Sequence, residues 1–178
     1  PSLYYNLQQW RLAELMPPKI EKYFKKIYFT NAARNATMFY HLSKLLKHFR
    51  ENHIPVVVLK GAALAAAVSP LPSLRIMYDV DLLLHKADVA LVDSLLLGLG
   101  YITQPCDKWQ EERAHHIYIS PNRLFSLEVH WLLASPNSPT TVDIMKIWQR
   151  AKPLQLEDAE ALTLSPEDLI QHLCIHTL

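Results

Sequence analysis

Tyr78-Asp79-Val80-Asp81-Leu82-Leu83-Leu84 sets two carboxylates alternately into an apolar run, shortly after the β-branched stretch Val56-Val57-Val58-Leu59 and its exit Lys60-Gly61. On a strand, residues two apart share a face, so Asp79 and Asp81 point the same way roughly 7 Å apart while Val80 packs on the other side. Two like charges held that close call for a cation. Magnesium takes oxygen ligands, usually one or two carboxylates plus substrate phosphates, so the pair reads first as a metal site serving a nucleotide. A D-x-D standing alone more often marks a solvated strand end, so its surroundings decide the reading.

Those surroundings are globular. The chain has 178 residues, 50% hydrophobic and 20% charged, enough for one ordinary core or a core with an appendage. A formal net charge of +1 gives no broad field to recruit nucleic acid, and the basic runs Lys19 to Lys26 and Lys44 to Arg50 read as solvated helix faces. Cys106 and Cys174 have no CxxC spacing, which fits two structural thiols in a reducing compartment. The apolar stretch Val89 to Leu99 is interrupted by Asp93 and too short to span a bilayer, so no membrane association is expected and a cytoplasmic location is the default. The chain starts at Pro1 without methionine and stops at Leu178 inside a helical pattern, which reads as an excerpt of a longer protein.

Periodicity divides the chain into 1–50, helical; 51–135, a mixed core; and 136–178, the start of a truncated helical segment. A helix is expected around Leu3 to Leu15, and then one long helix or two shorter ones from Pro17 to Arg50, with Pro17-Pro18 at the start. Val56 to Leu59 reads as a buried strand, and Gly61 hands it to an alanine-rich helix over Ala62 to Val68. Ser69-Pro70-Leu71-Pro72-Ser73 is a loop, Val80 to Leu84 a strand, and Asp88 to Leu99 a helix closed by Gly98 or Gly100. Further strands fall at Tyr101 to Thr103, His116 to Ser120 and Leu124 to Trp131, the last two joined through Pro121-Asn122-Arg123. After the polar loop Ser135-Pro136-Asn137-Ser138-Pro139, a helix is expected near Val142 to Arg150 and an extended piece at Ala161 to Leu164. A second helix starts at Ser165-Pro166-Glu167-Asp168. The middle is α+β or α/β.

Leu127-Glu128-Val129-His130-Trp131 adds a third acid, with Glu128 and His130 on one side of the strand and Leu127 and Val129 on the other. Three carboxylates from two neighbouring strands, with a glycine at a helix N-terminus, are what a two-metal phosphoryl-transfer site needs. The acids hold ions, and backbone N–H groups meet phosphates.

These residues resemble a known family. Pro55 to Leu64, Arg75, Asp79-Val80-Asp81-Leu82-Leu83-Leu84, Leu99-Gly100-Tyr101 and Glu128-Val129-His130-Trp131 look like the uncharacterised nucleotidyltransferase family of the DNA polymerase β superfamily. The lead-in Asn31-Ala32-Ala33-Arg34-Asn35 and Leu164-Ser165-Pro166-Glu167-Asp168-Leu169 are similar to its flanking helices. The resemblance implies an α+β fold, a minimal nucleotidyltransferase core whose short mixed sheet carries helices on one face, flanked by N- and C-terminal helices. It also implies an enzyme that moves a nucleoside monophosphate from a nucleoside triphosphate, ATP first among them, to a hydroxyl-bearing acceptor that is a small molecule, a sugar or a protein. By carry-over, Asp79, Asp81 and Glu128 are the catalytic metal ligands for two Mg2+ ions, with Mn2+ as a substitute. Lys60, Gly61, Ala62 and Arg75 are the nucleotide-binding set. Gly61-Ala62 stands where relatives commonly have Gly-Ser or Gly-Gly.

The alternative on the same fold is a catalytically weak or inactive module that binds a nucleotide or a partner. A glycosyltransferase D-x-D is disfavoured, since only about two helices and one strand precede Asp79. His130 reads as a hydrogen-bonded strand histidine beside the acids. His115-His116 and the pair His172 and His176 lack the third ligand that zinc would need. Trp109, Trp131, Trp148 and Tyr101 are read as core aromatics rather than a base-stacking shelf.

Overall fold

The computed structural model describes residues 1–67, 69, 71–103, 114–135 and 140–176. Val68, Pro70, Cys106, Trp109, the loop residues 136–139 and Leu178, all used in the sequence reading, lie outside the described residues. Among the described residues no helix is long and apolar enough to cross a membrane.

Strands β1 (Val57–Val58), β2 (Asp79–Leu83), β3 (Ile102–Thr103), β4 (His115–Ile119), β5 (Ser126–His130), β6 (Lys152–Leu156) and β7 (Ala159–Thr163) form one mixed sheet, in the order β3-β4-β5-β2-β1-β7-β6. Central β2 runs antiparallel to β1 and parallel to β5, and β1 runs parallel to β7. The helices are α1 (Ser2–Gln9), α2 (Pro18–Glu51), α3 (Lys60–Ala67), α4 (Val89–Gly98), α5 (Ile144–Arg150) and α6 (Pro166–His176). This is the expected mixed α/β architecture, with a larger sheet than the pattern suggested.

The alternation in β2 decides the layers. Val80 and Leu82 point to one face, where they join Leu127 and Val129 of β5, Leu42 and Phe49 of α2, Ala62 and Ala63 of α3, and Leu96 of α4 in the main core. Each fully buried leucine there contributes about 1.5–3 kcal/mol. Leu83, with Val57 and Leu59, faces the opposite side and meets Ile147 of α5 and Leu164 ahead of α6. Helices therefore lie on both faces. The one-faced arrangement implied by the resemblance is corrected because β1 and the end of β2 are apolar on both sides and need two covers.

Other differences have local causes. The N-terminal helix stops at Gln9, and Arg11 then takes a left-handed φ of 56°. The Pro17 to Arg50 pattern is one continuous helix, α2, with Pro18 in its first turn. Segment 136–178 is not purely helical, since β6 and β7 add an antiparallel hairpin to the sheet. That hairpin was legible only at Ala161 to Leu164, because its turn has no glycine and Glu157 supplies the positive φ of 51° itself. Pro153 is accommodated because β6 is an edge strand.

The start of α6 forms as its sequence predicts. Ser165 Oγ donates to Asp168 Oδ2 at 2.8 Å and accepts from the Asp168 N–H at 3.2 Å, while Arg150 Nε and Nη2 grip the same carboxylate at 2.9 and 2.6 Å. Asp168 thereby ties α5 to α6, and the Arg150 hydrogen bond, with help from Ser165, holds its carboxyl below the usual carboxylate range. Asp168→Asn should lower Tm at neutral pH by about 2–6 °C. Because the folded pKa is depressed, the contribution is complete above the ordinary carboxylate range and is lost as pH falls through the lowered value. Thermal melts across that range should show the gap between wild type and variant closing on acidification, and a gap independent of pH would contradict the pairing.

Candidate active site

Register sets the centre of the site. In the parallel β2–β5 pair Asp81 stands directly beside Glu128, and Leu83 beside His130. Asp79, Asp81, Glu128 and His130 thus share the sheet face that α5 and α6 cover only in part. Across the other edge of β2, the Leu59 N–H donates to the Asp81 carbonyl at 2.9 Å, which pins the turn between β1 and α3 against the same strand. Lys60 follows immediately in that turn. Its ammonium reaches back to donate to Asp81 Oδ1 at 2.6 Å.

Asp81 is 2% exposed and would be costly as a lone anion. Burial alone would raise its pKa, yet the hydrogen bond from His130 and the charge of Lys60 hold it well below the usual carboxylate range. His130 Nε2 lies 3.1 Å from Asp81 Oδ1 and 3.3 Å from Glu128 Oε2. Burial works against a charged imidazole there, but the hydrogen bonds to Asp81 and Glu128 outweigh it and raise the His130 pKa. The His130 hydrogen bond in turn lowers Glu128 against its own burial. Asp79 moves the other way. Burial, followed by the charges of Asp81 and Glu128, pushes its carboxyl above the ordinary value despite Lys60.

The donor atoms of Asp81, Glu128 and His130 all lie within 4.8 Å of one another, close enough to share one ion. Asp79 is not in that tight group, although it feels both other acids. Asp79 stands on the same face as this group, and the carboxylate oxygens of the set suit a hard divalent cation.

At the head of α3, the N–H groups of Lys60, Gly61 and Ala62 have no carbonyl four residues back within the helix. Lys60 adopts a left-handed φ of 43°, a strain of about 1–3 kcal/mol for a residue with a side chain. Gly61 has no such need. A Cβ built there would meet Met77 Sδ at 3.4 Å and Arg75 Nε at 3.9 Å, ordinary contacts, so the fold itself would accept alanine. The same distances bring the exposed Arg75 to the turn. Ala62 is buried, with its methyl in the main core.

Of the residues singled out in the sequence, Asp79, Asp81, Glu128, Lys60, Gly61 and Arg75 therefore gather around β2 and the β1–α3 turn. The Lys60–Asp81 ion pair had no sequence signal, since the partners are 21 positions apart. Tyr101 is buried core. Trp131 and Trp148 instead line a cavity of about 890 Å3 with Asp93 and His116, and His85 stacks on Trp148 at 4.0 Å.

A family model described as uncharacterised nucleotidyltransferase matches residues 1–178. The chain belongs to this family. The resemblance drawn from the Lys60-Gly61, D-x-D and Glu128 segments thus holds over the whole chain, and the nucleotidyltransferase family makes it an enzyme of that class. No curated protein matches the chain in sequence. Among solved structures it is similar to the lincomycin-bound lincosamide antibiotic adenylyltransferase LnuA, with a TM-score of 0.53 and 15% identity over 73% of this chain and 82% of that one. At that identity the likeness speaks for the fold of this nucleotidyltransferase.

Lys60→Met tests the charge balance of the centre. With Asp81 left to His130 alone, urea unfolding in the presence of chelator should show a loss of roughly 2–4 kcal/mol. An unchanged midpoint would mean that Lys60 does not neutralise Asp81.

Proposed function

We propose that this nucleotidyltransferase uses a divalent cation, Mg2+ or in its place Mn2+, to move a nucleoside monophosphate from a nucleoside triphosphate to a hydroxyl-bearing acceptor. One observation carries the reading. The Asp81–Glu128 register pair, with Asp79 on the same face, stands next to the first turn of α3, where Lys60 reaches Asp81, an arrangement that would bring cation ligands and phosphate ligands together. The adenylyltransferase among the similar folds makes ATP the donor, and a small molecule the acceptor, to test first.

In this reading Asp79, Asp81 and Glu128 hold two ions, with His130 fixing the two innermost carboxylates. The ions, when bound, supply Lewis acidity that lowers the pKa of the acceptor hydroxyl and neutralises phosphate charge. The N–H groups of Gly61 and Ala62 bind triphosphate oxygens at the positive end of α3, and the missing side chain of Gly61 lets the backbone come close. Arg75 adds a planar fork to the same phosphates, and Lys60, which pairs with Asp81 in the free protein, adds a point charge there once a cation takes over its contact with Asp81. The acceptor oxygen attacks the α-phosphorus in line. An oxygen–phosphorus bond forms as the bond to the β-phosphate bridging oxygen breaks, the acceptor proton passes to Glu128, and pyrophosphate leaves with the electron pair.

A second reading rests on the phosphate turn, which has no hydroxyl donor and whose Ala62 methyl is committed to the core. A module that binds nucleotide without turnover would keep the cleft and lose the chemistry. Calorimetry with a non-hydrolysable triphosphate separates the two, because tight cation-dependent binding with no transfer selects the module.

Asp79→Ala and Asp81→Ala should each abolish transfer of label from α-labelled ATP to acceptor, by at least about 100-fold. Persistent transfer in either variant would remove that aspartate from the proposed metal site. Gly61→Ala gives a complementary check. Its Tm should stay at or slightly above the wild-type value while triphosphate affinity drops about tenfold, and an unchanged affinity would remove Gly61 from the phosphate site.

A further inference from the structure

Asn31 and Asn35 sit one turn apart in the 34-residue helix α2, where asparagine is a poor helix former, and both are nearly buried, at 5% and 1% exposure. Buried amides are tolerated where they are hydrogen-bonded, and these two reach across to the segment that leads into β2. Asn31 Nδ2 donates to the Ser73 carbonyl at 2.6 Å and to the Arg75 carbonyl at 3.0 Å, and Asn35 Nδ2 donates to the same Arg75 carbonyl at 2.7 Å. Two side chains of a distant helix thus converge on a single backbone oxygen. The residue that owns it is Arg75, whose Nε approaches the position a Gly61 Cβ would occupy.

A flexible arginine on a loop spends much of its binding energy on being ordered, so anchoring its backbone improves the aim of its side chain. We propose that Asn31 and Asn35 are positioning residues, which fix the Arg75 backbone so that its guanidinium is presented to the phosphate turn at Gly61. This makes α2 part of the nucleotide site although neither asparagine touches the ligand. The inference rests on the reading that Gly61 and Arg75 bind the triphosphate.

A double-mutant cycle tests it in the full chain. The variants are Asn35→Leu, which keeps the branched shape, removes the donor and leaves Asn31 bonded to Arg75, Arg75→Ala, and the double variant. Binding of a non-hydrolysable ATP analogue with Mg2+ is measured by calorimetry, alongside Tm and the rate of tryptic cleavage after Arg75. The expected result is that each single variant raises Kd about tenfold, while Asn35→Leu adds less than about twofold once Arg75 is gone. Asn35→Leu should also speed tryptic cleavage without a matching fall in Tm. Multiplicative effects on Kd, an unchanged Kd in Asn35→Leu or Arg75→Ala, or unchanged cleavage would each overturn the positioning role. Asn31→Leu serves as a second variant with the same expectations. Absence of binding by the wild type itself would remove the parent reading and this inference together, and the wild-type titration distinguishes that outcome from the others.

Discussion

Asp81 is an ionised carboxylate shut away from water in the central strand, and keeping it ionised constrains most of what surrounds it. Isolated, such a charge would neutralise by taking up a proton or would unfold its surroundings. Here Lys60 and His130 bond to the same Oδ1, one from the turn after β1 and one from β5, so the two strands flanking β2 each send it a cation or a donor. The left-handed backbone at Lys60 belongs to this arrangement, since the turn carries the side chain back over Asp81. The consequence is a site in which Asp81 is paired within the protein, while Asp79 lies half-buried beside like charges with its carboxyl above the ordinary value.

The same strand explains why the site lies where it does. β2 is apolar on its core face throughout and changes character on its other face, from Asp79 and Asp81 to Leu83. Where that face is apolar, α5 and α6 cover it. Where it is acidic, the parallel pairing to β5 brings Glu128 and His130 alongside, and Lys60 reaches over Asp81. Burial and chemistry are thus divided along one strand by a few residues.

Much of the candidate site was legible because its signals are local. Asp79-Val80-Asp81 and Glu128-Val129-His130 are alternations that a strand converts directly into shared faces, and Lys60-Gly61 lies between a β-branched run and an alanine-rich one, a strand exit that a helix follows. The rest depends on contacts between distant segments. Nothing in Asn31-Ala32-Ala33-Arg34-Asn35 reveals that two amides meet the Arg75 carbonyl, because hydrogen bonds 40 and 44 residues apart leave no periodicity. The β6–β7 hairpin escaped for a different reason, since a turn made with Glu157 in place of glycine lacks the usual composition.

By itself the sequence determined the alternation that puts the acids on one side of β2 and β5, the helix start at Ser165, and the family resemblance carried by the ordered motifs. These follow from backbone geometry over a few residues, which side-chain type controls. Only the tertiary structure decided that Lys60 neutralises Asp81, that His130 spans two carboxylates, that helices cover both faces of the sheet, and that α2 holds the loop bearing Arg75. Each of those depends on strand order and register, which are set when the whole apolar surface is buried at once and which no short stretch of chain encodes.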